Sequence, residues 1–209
     1  MGLFYGSRLH QPQRNVLVSL VCRSNYEAIK SRGVMLLTHS YGEYTFHPEG
    51  IFKSATEAAS AQNGNIIWDY VVVTTKALPR DANSGANLIK PVVHPRTTIV
   101  LIQNGIGIED PYREAFPNNV LLSAVTVVSA EQIEQGVVRQ NRWTRISVGP
   151  FTGGTGPSHG GSEKTKQFVR LLKEGGVRDA EECDESGLQF VRWHKIAVSS
   201  FKLLIDNHL

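Results

Sequence analysis

The chain has 209 residues, 41% hydrophobic and 20% charged, with a formal charge of +3. These ordinary globular levels suit one sizeable core and exclude a disordered chain or a disulfide or collagen scaffold. A small, dispersed positive charge argues against a nucleic-acid surface, and the apolar runs fall far short of the roughly 18 residues of a membrane span.

"GLFYGSRL" (2–9) has helical spacing with Gly2 in its first turn, a place where a helix ordinarily follows a strand. "NVLVSLVCR" (15–23), after a break at Pro12, predicts a strand buried on both faces. A short helix closed by Gly33 follows, then a hairpin centred on Tyr41-Gly42. Ser54 with Glu57 three residues on is a capping box opening the helix of 54–64. "IIWDYVVVTTK" (66–76) and "TTIVLIQNG" (97–105) read as buried strands, separated by a weak helix over 81–93. Glu109 and Asp110 ahead of Pro111 suit a helix N-terminus.

Strand and helix thus alternate to about residue 116, the pattern of a parallel sheet covered on both faces. Residues 119–151 read as further strands, some antiparallel, turning near Glu134 to Gly136. A Gly/Ser-rich loop (152–163) precedes a helix (164–176) with Phe168, Leu171 and Leu172 on one face. A longer helix begins at Glu185. Cys22 and Cys183 are the only cysteines, far apart and without CxxC spacing, so the chain reads as reduced and cytoplasmic, with no metal, secretory signal or membrane anchor.

Four places hold residues able to do chemistry. In a dinucleotide-binding turn the residue that reads the ribose lies about 20 residues beyond the glycines. Counted from Gly2, that position falls at Arg23 beside Ser24; an arginine there suits a 2′-phosphate and so NADP(H), or is simply a solvated charge. Lys76 ends a buried strand on the edge where open α/β sheets bind ligands, though charges also leave sheets there with no further role. Asn104-Gly105 is turn chemistry, or places an amide in the same crevice. In "RWHK", Trp193 and Ile196 share an expected buried face with Lys195 to one side, either solvated or placed to protonate a carbonyl oxygen. Gly154, Gly156 and Gly160 imitate a phosphate turn, but Pro157 and the lack of a ribose reader favour a plain loop.

In this order "GLFYGSRL", "VSLVCRSNY", "VVVTTKA", "IVLIQNGIG" and "RWHK" resemble the ketopantoate reductase family, its fungal-type members above all. The resemblance implies a Rossmann-type, doubly wound, mostly parallel sheet over 1–184, followed over 185–209 by the start of an all-helical substrate domain. It implies reduction of 2-dehydropantoate to (R)-pantoate with NADPH, a small-molecule 2-oxo acid as partner, and is compatible with a homodimer. Gly2 then looks like the last glycine of the dinucleotide turn, Arg23 like the 2′-phosphate reader and Lys76 like a cofactor-contacting lysine. Asn104 resembles the residue fixing nicotinamide and substrate, and Lys195 the catalytic lysine. The family also has a strand and two more glycines before the position of Gly2. After the lysine it has an asparagine where Ser199 stands, and then the helical domain. The chain is therefore expected to lack its first strand, to be shortened at both ends, to fold poorly alone and to have impaired activity.

Overall fold

The computed structural model describes residues 1–64, 66–77, 85–154 and 160–206. The chain is an α/β fold in which helices cover both faces of a mostly parallel sheet. α1 (Gly2–Leu9) opens the chain, followed by β1 (Leu20–Val21), α2 (Tyr26–Arg32) and the hairpin β2 (Val34–Thr38) and β3 (Gly42–Phe46). Next come β4 (Ile51–Phe52), α3 (Ala55–Ser60), β5 (Tyr70–Val73), α4 (Gly85–Ile89), β6 (Thr98–Leu101) and α5 (Asp110–Ala115). A long hairpin, β7 (Leu121–Glu134) and β8 (Val137–Pro150), leads to α6 (Gly161–Glu174), β9 (Ala180–Glu182) and α7 (Glu185–Asp206).

The main sheet has the order β3-β2-β8-β7-β6-β5, with β9 also on β8. β5–β6, β6–β7, β2–β8 and β8–β9 pair in parallel, and the two hairpins are antiparallel. β6 shows why the sheet needs cover on both sides. Ile99 and Leu101 enter a core with Ala86, Ile108, Tyr112 and Phe116, while Val100 and Ile102 enter another with Phe4, Tyr5, Phe168 and Leu172. Successive strand residues point to opposite faces, so a run of apolar residues with no polar interruption is what a doubly covered strand requires.

Several local expectations hold. The Ser54 hydroxyl accepts from the Glu57 N–H, and the Glu57 carboxylate reaches back to the Lys53 N–H. The first hairpin closes with Thr38 opposite Gly42, and the second turns through Gln135 and Gly136, whose φ of 75° suits glycine. Phe168 and Leu172 of α6 are buried, joined by Val169, and Leu171 is partly covered.

Others are corrected. Of the strand expected over 15–23 only Leu20 and Val21 form a strand, pairing with β4 in a separate two-stranded sheet. Leu17 and Val21 are about half exposed, not buried on both faces. The preceding residues instead close a tight turn: a helical turn begun by Pro12 ends at Asn15 in the left-handed region (φ 58°), and Gln11 bridges Val16. The expected helix of 81–93 is observed as α4 followed by a single 3-10 turn, residues 81–84 lying outside those described. Gly156 also lies outside them. α6 starts at Gly161, three residues earlier than expected. No helix among the described residues is long and apolar enough to cross a membrane.

Candidate active site

The site grows from one row of the sheet. Val73 of β5 pairs with Leu101 of β6, and Leu101 pairs with Ser123 of β7. Because all three strands run in parallel, the residues three further along lie level with one another at the carboxyl edge formed by β5 and β6: Lys76 and Asn104 just past the ends of those strands, and Thr126 within β7. This is the edge at which open α/β sheets bind ligands.

The turn after β6 is held from both sides. Gln103 Nε2 donates to the Thr75 carbonyl at 2.8 Å, beyond the end of β5. Gly105 has φ +126°, and a Cβ there would press on the Ile108 side chain, so the turn requires glycine. The Asn104 side chain is thereby left at the rim, where α7 meets it.

α7 lays Leu188 and Arg192, four residues apart, against the sheet. Lys195, one turn beyond Arg192, is half-buried and its Nζ donates to Asn104 Oδ1 at 2.8 Å and to the Thr126 carbonyl at 2.7 Å. Burial first, and the nearby Arg192 charge second, hold the Lys195 ammonium below the usual lysine range. An ammonium so held by two oxygens at the carboxyl edge of the sheet is chemically able to donate a proton.

Beneath it lies a fully buried ion pair that sequence reasoning missed. Arg192 Nη2 donates to Glu109 Oε1 at 2.8 Å and to Ser123 Oγ at 2.5 Å, and Ser123 donates to Glu109 at 2.6 Å. Arg192 Nη1 donates to the carbonyls of Gly105 at 2.8 Å and Gln103 at 3.2 Å. Glu109, expected to serve the N-terminus of α5, makes no side-chain cap and is 1% exposed. Trp193, expected to be buried beside Ile196, is 57% exposed; its place on the sheet is taken by Arg192, because the buried Glu109 carboxylate lies there. The available signal was an arginine at apolar spacing from Leu188, which demands a buried acid.

The remaining candidates do not touch this cluster. Gly2 begins α1, and a Cβ on it would collide with the side chain of Thr74, the first residue past β5, so α1 starts hard against that strand end. Arg23 is exposed in the bend between β1 and α2, and Lys76 is exposed beyond β5; neither has an ion-pair partner among the described residues. A close backbone approach at the start of a helix and two open cations are a donor set that fits the phosphates of a dinucleotide. The Ser199 side chain lies outside the described residues.

The sequence model of the ketopantoate reductase PanE/ApbA family matches residues 1–153. The chain belongs to the ketopantoate reductase family. Among relatives, the Saccharomyces cerevisiae uncharacterized protein YDL144C is 30% identical over 196 residues, covering 86% of this chain and 53% of that protein. The 2-dehydropantoate 2-reductase of Caulobacter vibrioides is 29% identical over 105 residues, covering 49% of this chain and 36% of its own. In structure, the 2-dehydropantoate 2-reductase of Methylococcus capsulatus superposes with a TM-score of 0.74 at 28% identity, covering 93% of this chain and 56% of that one. The chain spans about half the length of relatives that it matches over most of its own length.

Proposed function

We propose that the protein is a ketopantoate reductase-type oxidoreductase that reduces 2-dehydropantoate to (R)-pantoate with NADPH, in the cytoplasm. The observation that carries the reading is the Lys195 ammonium held between Asn104 Oδ1 and the Thr126 carbonyl at the carboxyl edge of the sheet, in a chain of this family. NADPH, when bound, supplies the hydride. Residues 1–184 are the dinucleotide-binding domain, in which Gly2 lets the backbone approach the phosphates, Arg23 meets the 2′-phosphate and Lys76 adds positive charge at the crevice. Residues 185–209 open a helical substrate domain. Lys195 donates a hydrogen bond to the keto oxygen and passes its proton there as the carbonyl carbon is reduced. Asn104 positions Lys195 and helps fix nicotinamide and substrate.

Titrating the chain with NADPH and following cofactor oxidation on adding 2-dehydropantoate tests this. Binding, with turnover that Lys195→Ala removes, supports it. Failure both to bind NADPH and to oxidise it refutes the reading. Because Gly2, Arg23 and Lys76 stand apart from the Lys195 cluster, a second reading is a dinucleotide-binding module without turnover, which predicts NADPH binding and no oxidation with 2-dehydropantoate or any other branched 2-oxo acid.

A further inference from the structure

We infer that Arg192 is the positioning residue of the site: its buried guanidinium locks α7 onto the Asn104 turn and so delivers Lys195 to its two oxygen partners. The inference rests on the reading of Lys195 as the proton donor for its functional meaning, but its geometry stands apart from it. Arg192 binds four groups from three segments at once: the Gln103 and Gly105 carbonyls of the turn, the Glu109 carboxylate at the start of α5, and the Ser123 hydroxyl of β7. Two of these carbonyls flank Asn104 directly. Ser123 lies three residues before Thr126, the other partner of Lys195. The guanidinium is therefore bonded to the immediate neighbours of one Lys195 partner and, through β7, to the strand that carries the other.

A planar fork is the side chain suited to this. It reaches two carbonyls with one nitrogen and a carboxylate and hydroxyl with the other, which the single nitrogen of a lysine does not span. Lys195 follows by one helical turn, so its Cα is fixed by the same bonds. The charged group facing Lys195 is Arg192 on its own helix, itself paired with Glu109; the sulfur of Met1 contacts the Thr126 hydroxyl.

The test needs no turnover. In this chain, with lysine side chains carrying a carbon-13 label, the Lys195 titration is followed by nuclear magnetic resonance in wild type, in Glu109→Gln/Arg192→Met, which removes the pair without leaving a buried charge, and in Arg192→Lys, which keeps the charge and loses the fork. The Lys195 signal is assigned with Lys195→Arg. Loss of positioning frees Lys195 into water, so with a positive charge still beside it in Arg192→Lys its titration is expected to move up toward the ordinary lysine value of about 10.4, and in the double variant the loss of the Arg192 charge adds to that rise. Arg192→Lys, which leaves Glu109 paired, serves if the double variant does not fold. A folded variant in which Lys195 titrates as in wild type overturns the inference. A wild-type chain that neither binds nor oxidises NADPH would instead count against the reductase reading, and the titration would still decide the role of Arg192.

Discussion

The Nζ of Lys195 donates to the Oδ1 of Asn104 across 91 residues of sequence, at 2.8 Å. Neither side chain is placed by its own element alone: the asparagine leaves the end of β6 and the lysine arrives on α7. The pair exists only when the sheet and the last helix are assembled, which makes it a sensitive reporter of function.

Replacing Lys195 by methionine, which keeps the volume and removes the donor, is expected to lower turnover by about 10² to 10⁴-fold, the range for a positioned general acid. NADPH affinity should stay within about twofold, since no cofactor role is assigned to this amine. Steady-state kinetics with a binding titration checks both, and equal losses in both quantities would count against the assignment.

The depressed Lys195 pKa sets a direction for pH. Reduction requires the protonated amine, so the rate should fall as pH rises through the folded-state value, which lies below the roughly 10.4 of a free lysine. Stability moves the other way. The unfolded chain holds this proton more tightly, so Lys195 costs stability at neutral pH and that cost is relieved as pH rises from the folded value toward the unfolded one. Melting curves of wild type and Lys195→Met should converge over that window, and a constant gap would contradict it.

Arg23→Ala is expected to weaken NADPH binding by about 10 to 100-fold, the loss of charge-assisted hydrogen bonds to the 2′-phosphate, and to leave NADH binding unchanged. Because Arg23 is exposed and unpaired among the described residues, thermal stability should not move. Parallel titrations with the two cofactors separate this from a solvated arginine.

Two glycines of α1 should respond oppositely to alanine. At Gly2 the new Cβ would collide with Thr74, for a loss of about 1 to 3 kcal/mol and weaker NADPH binding. At Gly6 it would meet only side-chain carbons of Leu20, Val18 and Phe46 at 3.8–4.0 Å, so the better helix propensity should win, with a gain of up to about 1 kcal/mol. Denaturant melts of the two variants give the signs directly.

Removing one member of the buried pair should be costly. Glu109→Ala leaves the Arg192 charge without its carboxylate in a site where both are almost fully buried, for a loss of about 3 to 5 kcal/mol, while Glu109→Gln/Arg192→Met should recover much of it. Unfolding midpoints of the three chains at one pH provide the comparison.

The alternation of β-branched runs with helical segments was enough to read a parallel sheet covered on both faces, because burial on two sides makes Ile99 to Ile102 an unbroken apolar run. Asn104 and Lys195 could be singled out from strand-end position and resemblance. Their hydrogen bond could not, since it depends on how α7 docks. Arg192 and Glu109 escaped for a related reason: local patterning assigns a charged residue to solvent unless its partner is known, and the partner lies 83 residues away. The strand over 15–23 was overestimated because apolar composition reports the wish for cover, whereas pairing needs a neighbour, and only β4 supplies one.

The two residues that join β7 to β8 bear on the order of assembly. This hairpin occupies the middle of the sheet, and its register can be set between residues close in the chain. The pairing of β5 with β6, by contrast, must bring Tyr70 to Thr98 around a helical crossover. Contacts with short loops form faster than those with long ones, so refolding should begin in the antiparallel hairpin and spread outward, ordering the strand ends that carry Lys76 and Asn104 late. The apolar edges of β5 and β6 would then stay open longest during refolding, and that interval is when aggregation competes with the native route.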